Sequence, residues 1–348
     1  MHSAPAPRAV FQGFPALTET FDVHGFRFSI GGDAPEAVEG IIEDFRFFSS
    51  TPGGEHSTVH LFCKTPPLEN VPPCDASVYT ARNVVYRSAG VRYIDYHGRG
   101  LGILDEAASQ LSLYSEDPGL LYEAAYLFLL SRIGQGLDQR GLHRLHALGV
   151  EVNGRAVLVL LPMGGGKSTL GLHLMNLDGV RLLSDDSPWI DRRGRALAYP
   201  LRIGLLPGSE QSIPAQHRRL IQRMEFGPKH LVNFSYFQDR VCAAAEPGAV
   251  FIGARTLLPE CRIEEIGKSA ALLPAIANCV VGLGLFQGLE FLLHSSALEL
   301  AKKTGLGVSR MRNCLQLLRR SRIYRVHLGR DAELNARTML RFAKELFS

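Results

Sequence analysis

The sequence lacks the features that would commit it to an extreme class. Charged residues are 21% of the 348, tryptophan occurs once, and 38 Lys plus Arg exceed 34 Asp plus Glu by only four. So small an excess makes no broad basic field for nucleic acid or an anionic membrane, and any cationic site must be local. The six cysteines, Cys63, Cys74, Cys242, Cys261, Cys279 and Cys314, contain no Cys-x-x-Cys pair and no compact zinc spacing. They read as free thiols in a reducing cytoplasm. The start, Met1 to Arg8, has no charged head followed by a continuous apolar run, so a frayed tail is expected there rather than a secretory leader. One charge-free stretch, Ser269 to Leu289, matches a bilayer in length. Its Pro274, Asn278, Gln287, Gly282, Gly284 and Gly288 lower its apolarity, so a buried helix pair is expected there and no membrane association. Internal repeats and low-complexity tracts are also missing.

With 46% hydrophobic residues the chain can bury a substantial core. From about 20 to 116, runs such as Phe21 to Ile30, Ser57 to Cys63, Val91 to Tyr96 and Leu101 to Leu104 collect strand formers between glycines and prolines, which predicts an antiparallel β-rich region. Asp117-Pro118 supplies a cap and a first-turn proline for a buried helix over Leu120 to Arg132, ended by Gly134 and Gly136. Leu142 to Val152, the turn Asn153-Gly154 and the apolar run Arg155 to Leu161 predict a β-hairpin that leads into a loop.

That loop carries the chemistry. Leu161-Pro162-Met163-Gly164-Gly165-Gly166-Lys167-Ser168-Thr169 stands between an apolar strand and the helical run Leu170 to Leu177. Glycines let main-chain amides converge on phosphate oxygens, and a helix N-terminus adds its positive end. A lysine neutralises β and γ phosphates, and a serine hydroxyl ligates Mg²⁺. Gly-Lys followed by Ser or Thr alone recurs by chance in about one chain in five of this length; the strand before, the helix after and an acidic pair beyond carry the assignment. The full G-x-x-x-x-G-K-[ST] pattern is broken at its first position, where Leu161 replaces glycine. The acidic pair, Asp185-Asp186, follows Val180 to Ser184 at the end of the next apolar strand, a Walker-B-like position. Neighbouring strand residues face opposite ways, so one carboxylate can hold Mg²⁺ while the other takes a proton. A solvated turn before Ser187-Pro188 is the competing reading of the pair.

From about Leu142 to Asp191 the chain resembles the catalytic domain of HPr kinase/phosphorylase and its looser relatives. The order His146, Gly164 to Ser168, Asp185-Asp186 is similar to the order of motifs in that family. The resemblance implies an α/β fold like that of phosphoenolpyruvate carboxykinase and transfer of a phosphoryl group from ATP to a serine hydroxyl. It implies that Gly164, Gly165, Gly166, Lys167, Ser168 and Thr169 bind ATP, and that Ser168 and Asp186 serve Mg²⁺. Asp185 is then the general base, and His146 neighbours the reacting groups; a satisfied structural histidine is the alternative for His146, with His143 three positions away. Tyr199 to Pro207 lacks the glycine-rich segment of true HPr kinases, which points to a related kinase with another acceptor: a serine-bearing protein, peptide or small molecule.

Further cations over a γ-phosphate are expected in such a site, and Arg202, Lys229 and Arg255 are candidates, each weighed against an ordinary surface charge. Arg310, Arg312, Arg319, Arg320, Arg322, Arg325 and Arg330 form an acid-free run after Thr304 to Ser309. Two readings stand: a solvated arginine face packed by Leu315, Leu317 and Leu318, ranked first, and a small winged or helix-turn-helix module of a nucleotide-gated regulatory or nucleic-acid-binding protein. The expected organisation is α/β: a β-rich domain over 1–139, a P-loop ATP-binding domain over 140–268 and a helical region over 269–348. The protein is expected to be a cytoplasmic Mg²⁺-dependent kinase, with a homo-oligomer possible on the sequence.

Overall fold

The computed structural model describes residues 17–205, 208, 213–224, 227–281 and 297–348. The start of the chain read as a frayed tail lies outside them, as does the part of the Ser269 to Leu289 stretch from 282 onward. The fold is mixed α/β with two large sheets, and the chain forms two compact units. The first takes the described residues within Met1–Ile133 and Ile221–Pro228; the second takes those within Gly134–Leu220, Lys229–Phe286 and His294–Ser348.

The first unit is built on nine strands: β1 (Leu17–Val23), β2 (Phe26–Gly32), β3 (Ser49–Ser50), β4 (Ser57–Phe62), β5 (Ala76–Tyr79), β6 (Val84–Ser88), β7 (Val91–Asp95), β8 (Leu101–Asp105) and β9 (Gln110–Tyr114). Their order is β3-β1-β2-β4-β9-β8-β7-β6-β5. Strand β4 alternates buried and half-buried along its length, as a sheet with one covered face requires. The sheet is not wholly antiparallel as expected: β2 with β4 and β4 with β9 are parallel. Helix α1 (Pro35–Phe45), which the sequence reading did not anticipate, lies in the connection that makes the first of these pairings possible. Phe21, Phe28 and Phe45 meet in its core. Helix α2 (Pro118–Gln139) is capped as predicted, with Asp117 Oδ1 accepting from Gly119 N at 2.9 Å and Leu120 N at 3.2 Å. It runs on through Gly134 and Gly136 to Gln139, because an interior glycine costs a helix only about 1 kcal/mol and does not by itself end it.

The second unit holds the sheet β10 (His143–Arg144), β14 (Trp189–Ile190), β15 (Ala196–Leu197), β19 (Ala244–Arg255), β12 (Arg155–Leu160), β11 (Leu148–Val152) and β13 (Arg181–Ser184), in that spatial order. The hairpin β11–β12 turns at Asn153 and Gly154, both at positive φ (50° and 77°), as a tight primed turn demands. Strand β12 runs parallel to β19. A smaller sheet joins β16 (Ile203–Gly204), β18 (Lys229–Val232) and β17 (Arg218–Ile221). One face of the large sheet buries Leu145, Leu158, Leu160 and Leu183 against Ala271 and Ala275 of α4 (Lys268–Ile276) and Cys314, Leu317 and Leu318 of α5 (Ala297–Arg320).

The stretch read as helical from 269 also supplies a strand. After β20 (Arg262–Glu265), β21 (Arg322–Leu328) extends the sheet parallel to β19 before α6 (Ala332–Leu346) closes the chain. Ile323, Tyr324, Val326 and Leu328 are buried while Arg322 and Arg325 face out, so basic residues masked a strand pattern. The helix-turn-helix reading is corrected here as well. Positions 304–309 lie inside the single helix α5, which carries Gly305 and Gly307 within it, since an interior glycine is tolerated in a helix. Arg310 pairs with Asp138, Arg320 with Glu246 and Arg325 with Glu264. No helix among the described residues is long and apolar enough to cross a membrane.

Candidate active site

The hairpin strand β12 delivers the chain into the glycine loop, and α3 (Lys167–Met175) starts at the lysine itself. Gly164 (φ 74°) and Gly166 (φ 96°) occupy the left-handed region, where a side chain is strained. Gly166 is the N-cap, its carbonyl accepting from Leu170 N at 2.9 Å. Leu161, the residue that breaks the glycine pattern, is a core residue: it is buried, and a Cβ at Gly253 would stand 2.5 Å from its Cδ2. The first position of the motif is therefore the end of a packed strand rather than part of the phosphate cradle.

Lys167 is buried, and its ammonium donates to Leu161 O at 2.8 Å and His146 Nε2 at 2.9 Å, with Pro162 O at 3.4 Å. An ammonium has no lone pair, so Nε2 of His146 is the acceptor and the ring proton sits on Nδ1. That nitrogen lies 3.2 Å from Asp186 Oδ1, out of hydrogen-bond alignment. Desolvation lowers the Lys167 pKa, and the carboxylates of Asp186 and Asp185 oppose the fall.

The acidic pair divides as adjacent strand residues do. Ser184 Oγ donates to Tyr199 O at 2.9 Å and accepts from Ser187 N at 3.0 Å, which fixes the turn beyond β13. Asp185 points inward: its Oδ2 accepts from Ser168 Oγ at 2.9 Å, and its Oδ1 is buried without a hydrogen-bond partner among the described residues. Burial, then the adjacent Asp186 charge, push its carboxyl up to about 7 against the pull of Ser168, Lys229 and Lys167. Asp186 is exposed, with Oδ1 4.0 Å from Lys167 Nζ.

His146, Lys167, Ser168, Asp185 and Asp186 thus form one contiguous group. Arg255 borders it, since a Cβ at Gly166 would stand 2.9 Å from Arg255 Nη1. Lys229 is near enough to act on Asp185 through its charge, and its ammonium packs over Gly204. Arg202 stands half-buried just before β16, Thr169 is the half-buried third residue of α3, and Gly165 is buried within the loop. The other histidine faces away: His143 is wholly buried, its Nδ1 2.8 Å from Asp138 Oδ1 and its Nε2 2.8 Å from Ser309 Oγ. One contributor had no sequence signal. The carbonyl of Asn278 accepts from His146 N at 3.1 Å and holds the histidine strand from the side of α4. Any residue has such a carbonyl, so only its placement matters.

These residues fit a nucleotide with Mg²⁺. Among the described residues no three His, Cys, Asp or Glu side chains gather as a metal cage, and Mg²⁺ bound alongside phosphates needs only one or two protein oxygens. The Ser168 hydroxyl and the exposed Asp186 carboxylate are such oxygens, and they lie beside the orphaned Asp185 Oδ1.

No protein-family model matches the chain, and a search of curated proteins found no match. Among solved structures the chain is similar to the Hpr(Ser) kinase/phosphatase from Coxiella burnetii, with 19% identity and a TM-score of 0.21 over 35% of this chain and 77% of that one.

Proposed function

We propose that this chain is an ATP-dependent phosphotransferase that passes the γ-phosphoryl group to a hydroxyl, serine being the acceptor group that the resemblance to HPr-kinase relatives implies. The observation that carries this reading is the convergence of Lys167, Ser168 and a carboxyl raised to about 7 at the end of a strand, loop and helix. A switch that only binds nucleotide has no need of a base with a pKa near neutrality, whereas deprotonating a hydroxyl does.

In this reading the loop amides and the start of α3 bind the phosphates. Lys167 turns its ammonium from the carbonyl of Leu161 to the transferred group and stabilises the charge that accumulates there. Arg255 and Lys229 add positive charge at the loop and at the acidic pair. Asp185 accepts the proton of the attacking hydroxyl, and its buried setting keeps it a competent base close to neutral pH. His146 holds Lys167 through Nε2. Ser168 and Asp186 would hold Mg²⁺, which would supply neutralisation of phosphate charge when bound.

The test is incubation with Mg²⁺ and γ-labelled ATP, alone and with extract of the source cells, for wild type and Asp185→Asn. Acid-stable label that requires Asp185 supports a hydroxyl kinase. Transfer that survives in Asp185→Asn removes the base assignment, and nucleotide binding without transfer to any acceptor favours the nucleotide-gated regulator instead.

A further inference from the structure

Two thiols from distant parts of the chain meet beside the segment that presents His146. After α4 the chain makes one π-helical turn, Ala277–Val281, a rare geometry that concentrates at functional sites. Its Asn278 donates from Nδ2 to Pro274 O at 2.7 Å, and the Asn278 carbonyl accepts from His146 N at 3.1 Å. The next residue, Cys279, packs on α5: its Sγ lies 3.9 Å from Arg310 O, the carbonyl one turn before Cys314. Both cysteines are 1% exposed and share one core cluster, where the Cys279 thiol donates a hydrogen bond to the Cys314 sulfur. That bond raises the pKa of Cys279, with burial adding to the rise, and lowers that of Cys314 against burial, so Cys314 ionises first.

The two sides of this contact are held differently. Asn313, adjacent to Cys314 and wholly buried, donates from Nδ2 to Gly141 O at 2.8 Å and to Ile190 O at 3.0 Å. Arg310 pairs with Asp138. Helix α5 is thus fastened within one turn of Cys314 by buried side chains. The π turn is tied by the local bond from Asn278 to Pro274 and by the single main-chain bond to His146. A covalent bond brings two sulfurs closer than thiols in contact can stand. The π turn is then the side that moves, and the Asn278 carbonyl moves with it. That carbonyl positions His146, whose Nε2 accepts from the ammonium of Lys167.

We propose that Cys279 and Cys314 form a peroxide-sensitive dithiol, and that its oxidation to a disulfide draws the π turn toward α5 and withdraws the support of His146 and Lys167. Hydrogen peroxide is the oxidant because the pair is buried, and a small uncharged molecule enters where a bulky disulfide does not. The Cys314 thiolate attacks one peroxide oxygen, the O–O bond breaks, and a sulfenic acid forms; the hydroxide released recovers the thiol proton as water. The Cys279 sulfur then displaces the sulfenic hydroxyl, which leaves with the Cys279 proton as a second water. The two sulfurs together lose two electrons, peroxide is reduced to two waters, and an external dithiol reverses the change. The effect on phosphoryl transfer rests on the phosphotransferase reading of the site; formation of the disulfide does not.

For the test, reduced protein is treated with hydrogen peroxide, its remaining thiols are alkylated, and its peptides are mapped by mass spectrometry without reduction. Affinity for a fluorescent ATP analogue and phosphoryl transfer are measured before treatment, after it, and after dithiothreitol. A peptide cross-linked through Cys279 and Cys314 is expected. Nucleotide affinity should weaken roughly tenfold, as loss of one charge-assisted contact predicts. Transfer should slow roughly ten- to hundredfold, as a misplacement of about 1 Å at a reacting group produces, and dithiothreitol should restore both. Cys279→Ala and Cys314→Ala are expected to keep the values of the reduced protein under peroxide. Absence of the cross-linked peptide, a cross-link that leaves both values unchanged, or an equal loss in the alanine variants overturns the switch. The wild-type map and its reversal stand without the variants, should either fail to fold. Reduced wild type that binds no nucleotide overturns the phosphotransferase reading instead, and the peptide map then decides the dithiol by itself.

Discussion

Replacing Asp185 by asparagine should abolish transfer and, in the nucleotide-free protein, stabilise the fold above neutral pH. The carboxyl is buried at Oδ1 beside Asp186, and its pKa rises from an ordinary 3.8 to about 7. Between those values the folded protein keeps a proton that the unfolded chain has released. Stability therefore falls as pH rises across the window and levels off above about 7. At about 1.4 kcal/mol per pH unit, ionised Asp185 costs the fold on the order of 4 kcal/mol. Asparagine has nearly the same shape, still accepts from Ser168 and carries no charge, so it should recover on the order of 2–4 kcal/mol at about pH 8 and almost nothing near pH 4. Urea denaturation of both proteins in EDTA, across that range, gives the difference; titrating groups remote from Asp185 cancel in the subtraction, and its neighbours Asp186, Lys167 and Lys229 contribute the remainder. A difference that does not change with pH would show that Asp185 ionises like a solvated carboxyl, and the base assignment would lose its physical basis.

The same group sets the rate profile: phosphoryl transfer should climb with a one-proton slope to a plateau above about pH 7, read as kcat/KM against pH, and a plateau reached two pH units lower would exclude Asp185 as the base. Lys167→Ala should lower kcat/KM at least about 100-fold by removing charge stabilisation, with nucleotide affinity measured alongside; full affinity and turnover would sink the phosphate-loop reading. Gly253→Ala should destabilise by about 1–3 kcal/mol through overpacking against the buried Leu161, seen as a lower urea midpoint at unchanged slope. Asp138→Asn leaves the Arg310 guanidinium and His143 without their shared carboxylate and should cost about 3 kcal/mol; thermal melting at neutral pH checks it, and an unchanged melt would mean that the pairs contribute nothing net.

How far the chain could be read before its structure depended on whether the signal was local. The hairpin turn at Asn153-Gly154, the cap at Asp117 and the loop from Gly164 to Ser168 rest on backbone preferences of a few neighbouring residues, and they stand in the structure where they were expected. Helix α1, the two parallel pairings of the first sheet and strand β21 did not follow from such preferences. Parallel pairing depends on where a crossover lands, and β21 is hidden among arginines whose charged heads stay in solvent while alternate side chains enter the core. Leu161 shows the limit within a motif: as a letter it breaks the phosphate-loop pattern, and in place it is strand packing against Gly253.

By itself, then, the order of residues determined the chemistry on offer: a lysine and a serine at a helix start, two carboxylates after a strand, a histidine ahead of both. The tertiary structure decided how those groups act on one another. It turned His146 toward Lys167 and His143 away from it, and sent Asp185 inward and Asp186 outward. Residue type sets the donors, acceptors and charges a chain can bring. Burial and direction, which come only from packing segments far apart in sequence, set the pKa values and the partners through which those groups work.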